Sequence, residues 1–103
     1  MYQITFYVPE THLEEVKNSL FAAGAGKFSN YSKVAWQVKG EGQFCAQEGS
    51  NPFLGEIGKI EHVIEYKVEL VCVEKYLKKA IKALKIAHPY EEPAYSVVRL
   101  IDV

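Results

Sequence analysis

Ile60-Glu61-His62-Val63-Ile64-Glu65-Tyr66-Lys67-Val68-Glu69-Leu70-Val71-Cys72-Val73 is the stretch that decides the fold. Ile64, Tyr66, Val68, Leu70 and Cys72 fall on one face of an extended chain, and Glu65, Lys67 and Glu69 on the other. The alternation predicts a long strand with one dry and one wet face, as in an antiparallel sheet. The period then changes. From Glu74 to Ala87, Leu77, Ala80, Ile81 and Leu84 recur at helical spacing, with Lys75, Lys78, Lys79, Lys82 and Lys85 largely outside that stripe. Tyr95 to Val103, with Val97, Val98, Leu100 and Ile101, predicts a closing strand.

Upstream the same alternation of elements appears. Met1 to Val8 is rich in β-branched and aromatic residues and predicts a strand that Pro9 stops. Thr11-His12-Leu13-Glu14 has capping-box spacing, and Leu13, Val16, Leu20 and Phe21 then share one helical face. Gly24 suits the left-handed conformation of a helix stop, and residues 24–31 form a connection without a P-loop or dinucleotide fingerprint. Ser32 to Ala46 reads as a second strand, with Gly40-Glu41-Gly42 marking a bend, a bulge or a hairpin turn. Gln47 to Gly58 is a long loop whose Phe53, Leu54 and Ile57 predict that it packs down. The order is β-α-β-β-α-β, the ferredoxin-like α+β sandwich with both helices on one face of an antiparallel sheet. Its second face would be left with Tyr7, Trp36, Tyr66 and aliphatic residues that two helices cannot all cover, which points to a homo-oligomer.

A length of 103 residues gives one domain, residues 1–103, and an apolar share of 49% suffices for a core. The net charge of −1 gives no basic field for nucleic acid or an anionic membrane. The lysines of the second helix have no interleaved aromatics for base stacking. No apolar run reaches the length of a membrane span, and Met1 to Phe6 lacks the basic start of a signal peptide. Cys45 and Cys72 are far apart in strand-like segments and read as reduced thiols, so a cytoplasmic location is expected.

Chemistry concentrates in Ala87-His88-Pro89-Tyr90-Glu91-Glu92-Pro93-Ala94-Tyr95, which joins the second helix to the last strand. His12, His62, His88, Cys45 and Cys72 show no metal-ligand spacing, although His88 with Glu91 or Glu92 could supply ligands for a divalent metal from one turn. Glu91 and Glu92 are adjacent and would point to opposite sides of an extended segment, and a His88–Glu91 dyad has no nucleophile beside it. The structural alternative places His88 at the negative end of the helix, with Pro89 and Pro93 stiffening the exit.

The same nine residues closely resemble the signature of the YqfO-like family, the small domain inserted in many bacterial dinuclear-metal proteins of the NGG-one-interacting-factor-three (NIF-three-like) type. The resemblance continues in Val8-Pro9-Glu10, Ala23-Gly24-Ala25-Gly26, Asn30-Tyr31-Ser32, Gly40-Glu41-Gly42-Gln43-Phe44 and Glu48-Gly49-Ser50-Asn51-Pro52-Phe53-Leu54-Gly55-Glu56. His88-Pro89-Tyr90-Glu91 followed by Pro93 is also similar to the copper-tolerance CutA family, related to the PII signalling fold. The resemblance implies a CutA/PII-like fold, commonly assembled as a trimer. It covers the insert only: the two-metal site of the larger proteins lies in their main domain, so no metal ligand or hydrolase role transfers. The chain departs from the usual pattern at Ser29, at Lys33-Val34 in place of His-Cys, at Ala46 in place of proline and at Ser96 in place of aspartate.

The expectation is a stand-alone, self-associating regulatory or binding domain, with a trimer favoured over a dimer and catalysis the weaker reading. The candidate binding residues are His88, Tyr90, Glu91, Glu92, Asn51 and Phe53, holding a small polar ligand or cation at a subunit cleft. No cofactor is expected unless a divalent metal is held by His88 and Glu91. The alternatives are a copper-tolerance-like metal-binding protein, an accessory to a metal-dependent hydrolase, and docking on a protein partner.

Overall fold

The computed structural model describes every residue from Met1 to Val103. The elements are β1 (Tyr2–Pro9), α1 (Leu13–Ala22), β2 (Trp36–Cys45), β3 (Ile60–Cys72), α2 (Glu74–Ala87) and β4 (Tyr95–Arg99). They build one four-stranded sheet in the order β2-β3-β1-β4, with every neighbouring pair antiparallel. This is the ferredoxin-type arrangement: β3 lies between β1 and β2, and β1 between β3 and β4.

The strand alternation sorts the sheet's two faces. Ile4, Phe6 and Val8 of β1 and Val68, Leu70 and Cys72 of β3 are buried, and they join Leu13, Val16 and Leu20 of α1 and Ala80 and Leu84 of α2 in one core. Tyr7, Glu65, Lys67 and Glu69 belong to the opposite, open face by the same register. On that face Trp36 is 57% exposed and Val98 53% exposed. Tyr66, by contrast, packs against the core on the helix side.

α2 follows the sequence periodicity closely, and β3 does so from Tyr66 to Cys72, whereas Ile64, expected on the dry face, is 48% exposed where β3 runs on past the end of β1. Lys75, Lys78, Lys79, Lys82 and Lys85 are all exposed. Both cysteines are free thiols, Cys72 buried and Cys45 exposed. No helix is long and apolar enough to cross a membrane.

Three local expectations change. The capping box does not form: Thr11 Oγ1 lies 2.8 Å from His12 Nδ1, and a 3-10 turn over Glu10–His12 leads into α1 with no side-chain cap. The second strand starts at Trp36 rather than Ser32, because Lys33 has φ 56 and the Val34 N–H donates to Gly26 O at 2.8 Å. Gly40-Glu41-Gly42 is neither bend nor turn. It runs straight through the ladder, opposite Glu65, Ile64 and Val63.

β2 and β3 continue their pairing past the end of β1, from Glu41–Ile64 to Cys45–Ile60. This two-stranded arm carries residues 46–59 as its tip, and the tip folds back. The Gly58 N–H donates to Ala46 O at 2.8 Å, closing the loop at its base.

Candidate functional site

The joint between α2 and β4 is held by a histidine. α2 ends where His88 turns to an extended backbone (ψ 135), its N–H still donating to Leu84 O. The imidazole is 5% exposed, with Nε2 2.6 Å from Tyr7 O. The Tyr90 N–H donates to Nδ1 at 3.1 Å. Nδ1 is therefore the acceptor, and Nε2 carries the proton that bonds the Tyr7 carbonyl. Burial lowers the pKa of the ring, with the Tyr7 hydrogen bond opposing in part and the charge of His12 adding to the lowering. His88 thus ends the helix as the structural alternative has it, and its two hydrogen bonds make it a clamp with a neutral ring. It forms no dyad with Glu91, and both its nitrogens are spent within the chain.

Beyond His88 the chain bends through residues 89–92, and Tyr90, Glu91 and Glu92 all line one cavity of about 270 Å³. The expectation that Glu91 and Glu92 diverge assumed an extended segment, and the bend between Pro89 and Pro93 removes that assumption. The floor is the open face of the sheet, through Tyr7, Phe44, Val63 and Glu65. The wall comes from the arm tip, through Ser50, Pro52, Phe53 and Leu54. Phe53 and Phe44 stand 6.3 and 6.4 Å from the Tyr90 ring in tilted contacts. His12 meets the Phe53 ring edge-on at 5.6 Å.

Asn51 does not line the cavity. Its backbone N–H is shared between both carboxylate oxygens of Glu91, each 3.2 Å away, and this ties the arm tip to the joint. Glu91→Ala is expected to leave global stability within about 1 kcal/mol while speeding amide exchange across residues 50–54. Exchange there at the wild-type rate would show that the tie is dispensable.

Glu65 was not among the residues singled out by sequence. It lay on the face read as wet, yet its half-buried carboxylate reaches across β2 toward Tyr90, whose hydroxyl donates to Oε2 at 3.4 Å. Burial raises the Glu65 pKa, and the Tyr90 hydrogen bond offsets part of the rise. The Tyr90 phenol is pushed up to about 12, first by burial and then by the charge and hydrogen bond of Glu65. Gly42 makes the room: a Cβ there would overlap the Glu65 carboxylate. The readable signal was Gly40-x-Gly42, two missing side chains on one sheet face, opposite Glu65 and Val63.

This sheet and helix arrangement defines the class as a CutA-like, ferredoxin-type α+β domain. Pyrococcus horikoshii CutA superposes with a TM-score of 0.71 at 21% identity, covering 100% of this chain and 87% of that one. A Bacillus cereus protein related to NIF3 superposes with a TM-score of 0.84 at 40% identity, covering 98% of this chain and 26% of that chain. A Halalkalibacterium halodurans protein described as a GTP cyclohydrolase 1 type 2 homolog is 42% identical over 102 residues, covering 99% of this chain and 27% of the relative. A Mycobacterium tuberculosis protein of the same description is 41% identical over 95 residues, covering 92% of this chain and 25% of the relative. No family model matches the chain. Over nearly its whole length the chain is similar to one segment of these NIF3-related proteins, and it spans about a quarter of the length of the curated relatives it matches.

Proposed function

We propose that this chain is a non-catalytic binding domain that self-associates through the open face of its sheet and takes a small ligand in the cavity on that face. The observation that carries the reading is one of continuity. The cavity floor, Tyr7, Phe44, Val63 and Glu65, belongs to the same face as exposed Trp36, Val38 and Val98. A second copy laid on those side chains would border the cavity and form a shared cleft. Binding rather than catalysis is supported by the state of the polar groups. The Tyr90 hydroxyl is occupied by Glu65 and held far from neutral titration, and Glu91 is engaged by Asn51.

Light scattering should give a multiple of the 11.7 kDa chain mass, three copies being the expectation. Trp36→Glu should shift it toward one copy, because an interface centred on an aromatic anchor does not accept a buried carboxylate. A monomer at high protein concentration would overturn the self-associating reading. A divalent metal at this site would rest on Glu91 and Glu92 rather than His88, and titration calorimetry with copper, zinc and manganese tests that alternative directly.

A further inference from the structure

We infer that the cavity between the arm tip and the α2–β4 joint selects an organic cation, a small ammonium compound with an aliphatic body. The inference rests on the reading of this cavity as a ligand site and names the chemistry of the ligand.

Three features set that class. First, the lining carries three carboxylates, Glu65, Glu91 and Glu92, and no Lys, Arg or His. Lys67, the nearest residue of opposite charge along β3, pairs with Glu69 at 3.2 Å. An anionic ligand would meet only like charge, whereas a cation is attracted from several sides.

Second, the walls are aromatic. Tyr7, Phe44, Phe53 and Tyr90 line the space, and the rings are tilted rather than stacked, at 50° between Phe44 and Tyr90 and 47° between Phe53 and Tyr90. Aromatic side chains that line such a space attract a cation that approaches within about 6 Å of a ring centroid.

Third, no group of three His, Cys, Asp or Glu side chains converges to hold a metal ion. The carboxylates lie around a cavity of about 270 Å³, room for a charged head together with several carbon atoms. A bare ion would leave the aromatic walls unused. A neutral apolar ligand would leave the Glu65 charge in a half-dry site without a counter-ion. Gly42 supports the same assignment, because its missing side chain lets the Glu65 carboxylate lie over β2 at the cavity floor.

The ammonium group is shared by a free amine and by a lysine side chain presented by another chain, so the experiment carries both. The probes are tetramethylammonium, choline, n-butylammonium and a short lysine-containing peptide, against 3,3-dimethylbutan-1-ol as the neutral isostere of choline and butyrate as the anion. The readout is NMR titration of the Phe44, Phe53 and Tyr90 ring signals. The expected result is that cations shift these rings, with choline binding at least about tenfold tighter than its isostere and butyrate giving no shift. Glu65→Gln, which keeps the shape of the side chain, should weaken choline by about tenfold or more. Gly42→Ala displaces the carboxylate without changing it and should weaken choline similarly, with unchanged signals elsewhere reporting an intact fold. A peptide binding tenfold tighter than butylammonium would assign the lysine source, and equal affinity the free amine. If the isostere binds as tightly as choline, or butyrate binds best, the cation class is overturned while the cavity remains a ligand site. If no cation shifts these rings, the inference falls, and the self-associating reading is judged separately by light scattering.

Discussion

Replacing His88 with alanine is expected to lower the unfolding free energy by about 3 kcal/mol and Tm by on the order of 15 °C. The ring links three parts of the chain: the end of α2, the Tyr7 carbonyl of β1 and the Tyr90 amide of the joint. Truncation removes two hydrogen bonds, leaves their partners unpaired, and opens a void beside Tyr90, whose ring lies 4.8 Å from the imidazole. Two further variants separate the bonds. His88→Gln can still donate to Tyr7 O but offers Tyr90 no acceptor at the Nδ1 position. His88→Asn has the converse geometry, and each should recover part of the loss. The clamp also sets a pH dependence. The folded ring has a pKa below the ordinary 6.5, so below that pH the unfolded chain binds the proton more readily. Stability should therefore fall as pH drops from about 6.5, and His88→Gln should flatten that part of the profile. Denaturant melts between pH 5.5 and 7.5 measure both effects. A loss under about 1 kcal/mol for the alanine variant would refute the clamp.

Gly24→Ala is expected to cost about 2–4 kcal/mol, from two sources that add. α1 ends in a Schellman motif, in which the Ala25 N–H donates to Leu20 O at 3.0 Å and the Gly24 N–H to Phe21 O at 3.1 Å. The motif holds Gly24 at φ 110, a conformation that L side chains rarely adopt. A Cβ there would also stand 2.6 Å from Cγ of the Tyr76 ring, in the contact between α1 and α2. Tyr76→Ala should relieve the clash but not the backbone strain. The double variant should therefore be less damaged than the sum of the singles by about 1 kcal/mol or more. Strict additivity in chemical melts would remove the steric part of the argument.

What could be read from the sequence followed from local periodicity, and what could not followed from partners distant in the chain. β3 and α2 were legible because each keeps one period over many residues, although the more buried side of β3 changes beyond Glu65, where the strand leaves the helices. Gly40-Glu41-Gly42 was misread because Gly42 makes room for Glu65 across the sheet and neither glycine turns the strand. Glu65 passed for a solvated charge since alternation assigns a face and cannot show that Tyr90, 25 residues away, folds over it. The proline-flanked joint stands out in the sequence by its chemistry, and the structure places Tyr90, Glu91, Glu92 and Phe53 around one cavity. His88 and Asn51 turned out to support it from outside, because burial and hydrogen bonding to remote backbone decide those roles.

The sheet order also bears on how the chain emerges from a ribosome. β1 lies in the middle of the sheet, yet its two neighbours are β3 and β4, whose pairing begins with Glu65–Cys72 and ends with Tyr95–Arg99. An apolar strand bearing Ile4, Phe6 and Val8 is thus made before either of its partners. At roughly 5–20 residues per second it waits on the order of several seconds for either edge to be covered. During that interval α1 is the nearest element that can shield it. The delay follows from the sheet order alone, since neither neighbour of β1 is its neighbour in the chain.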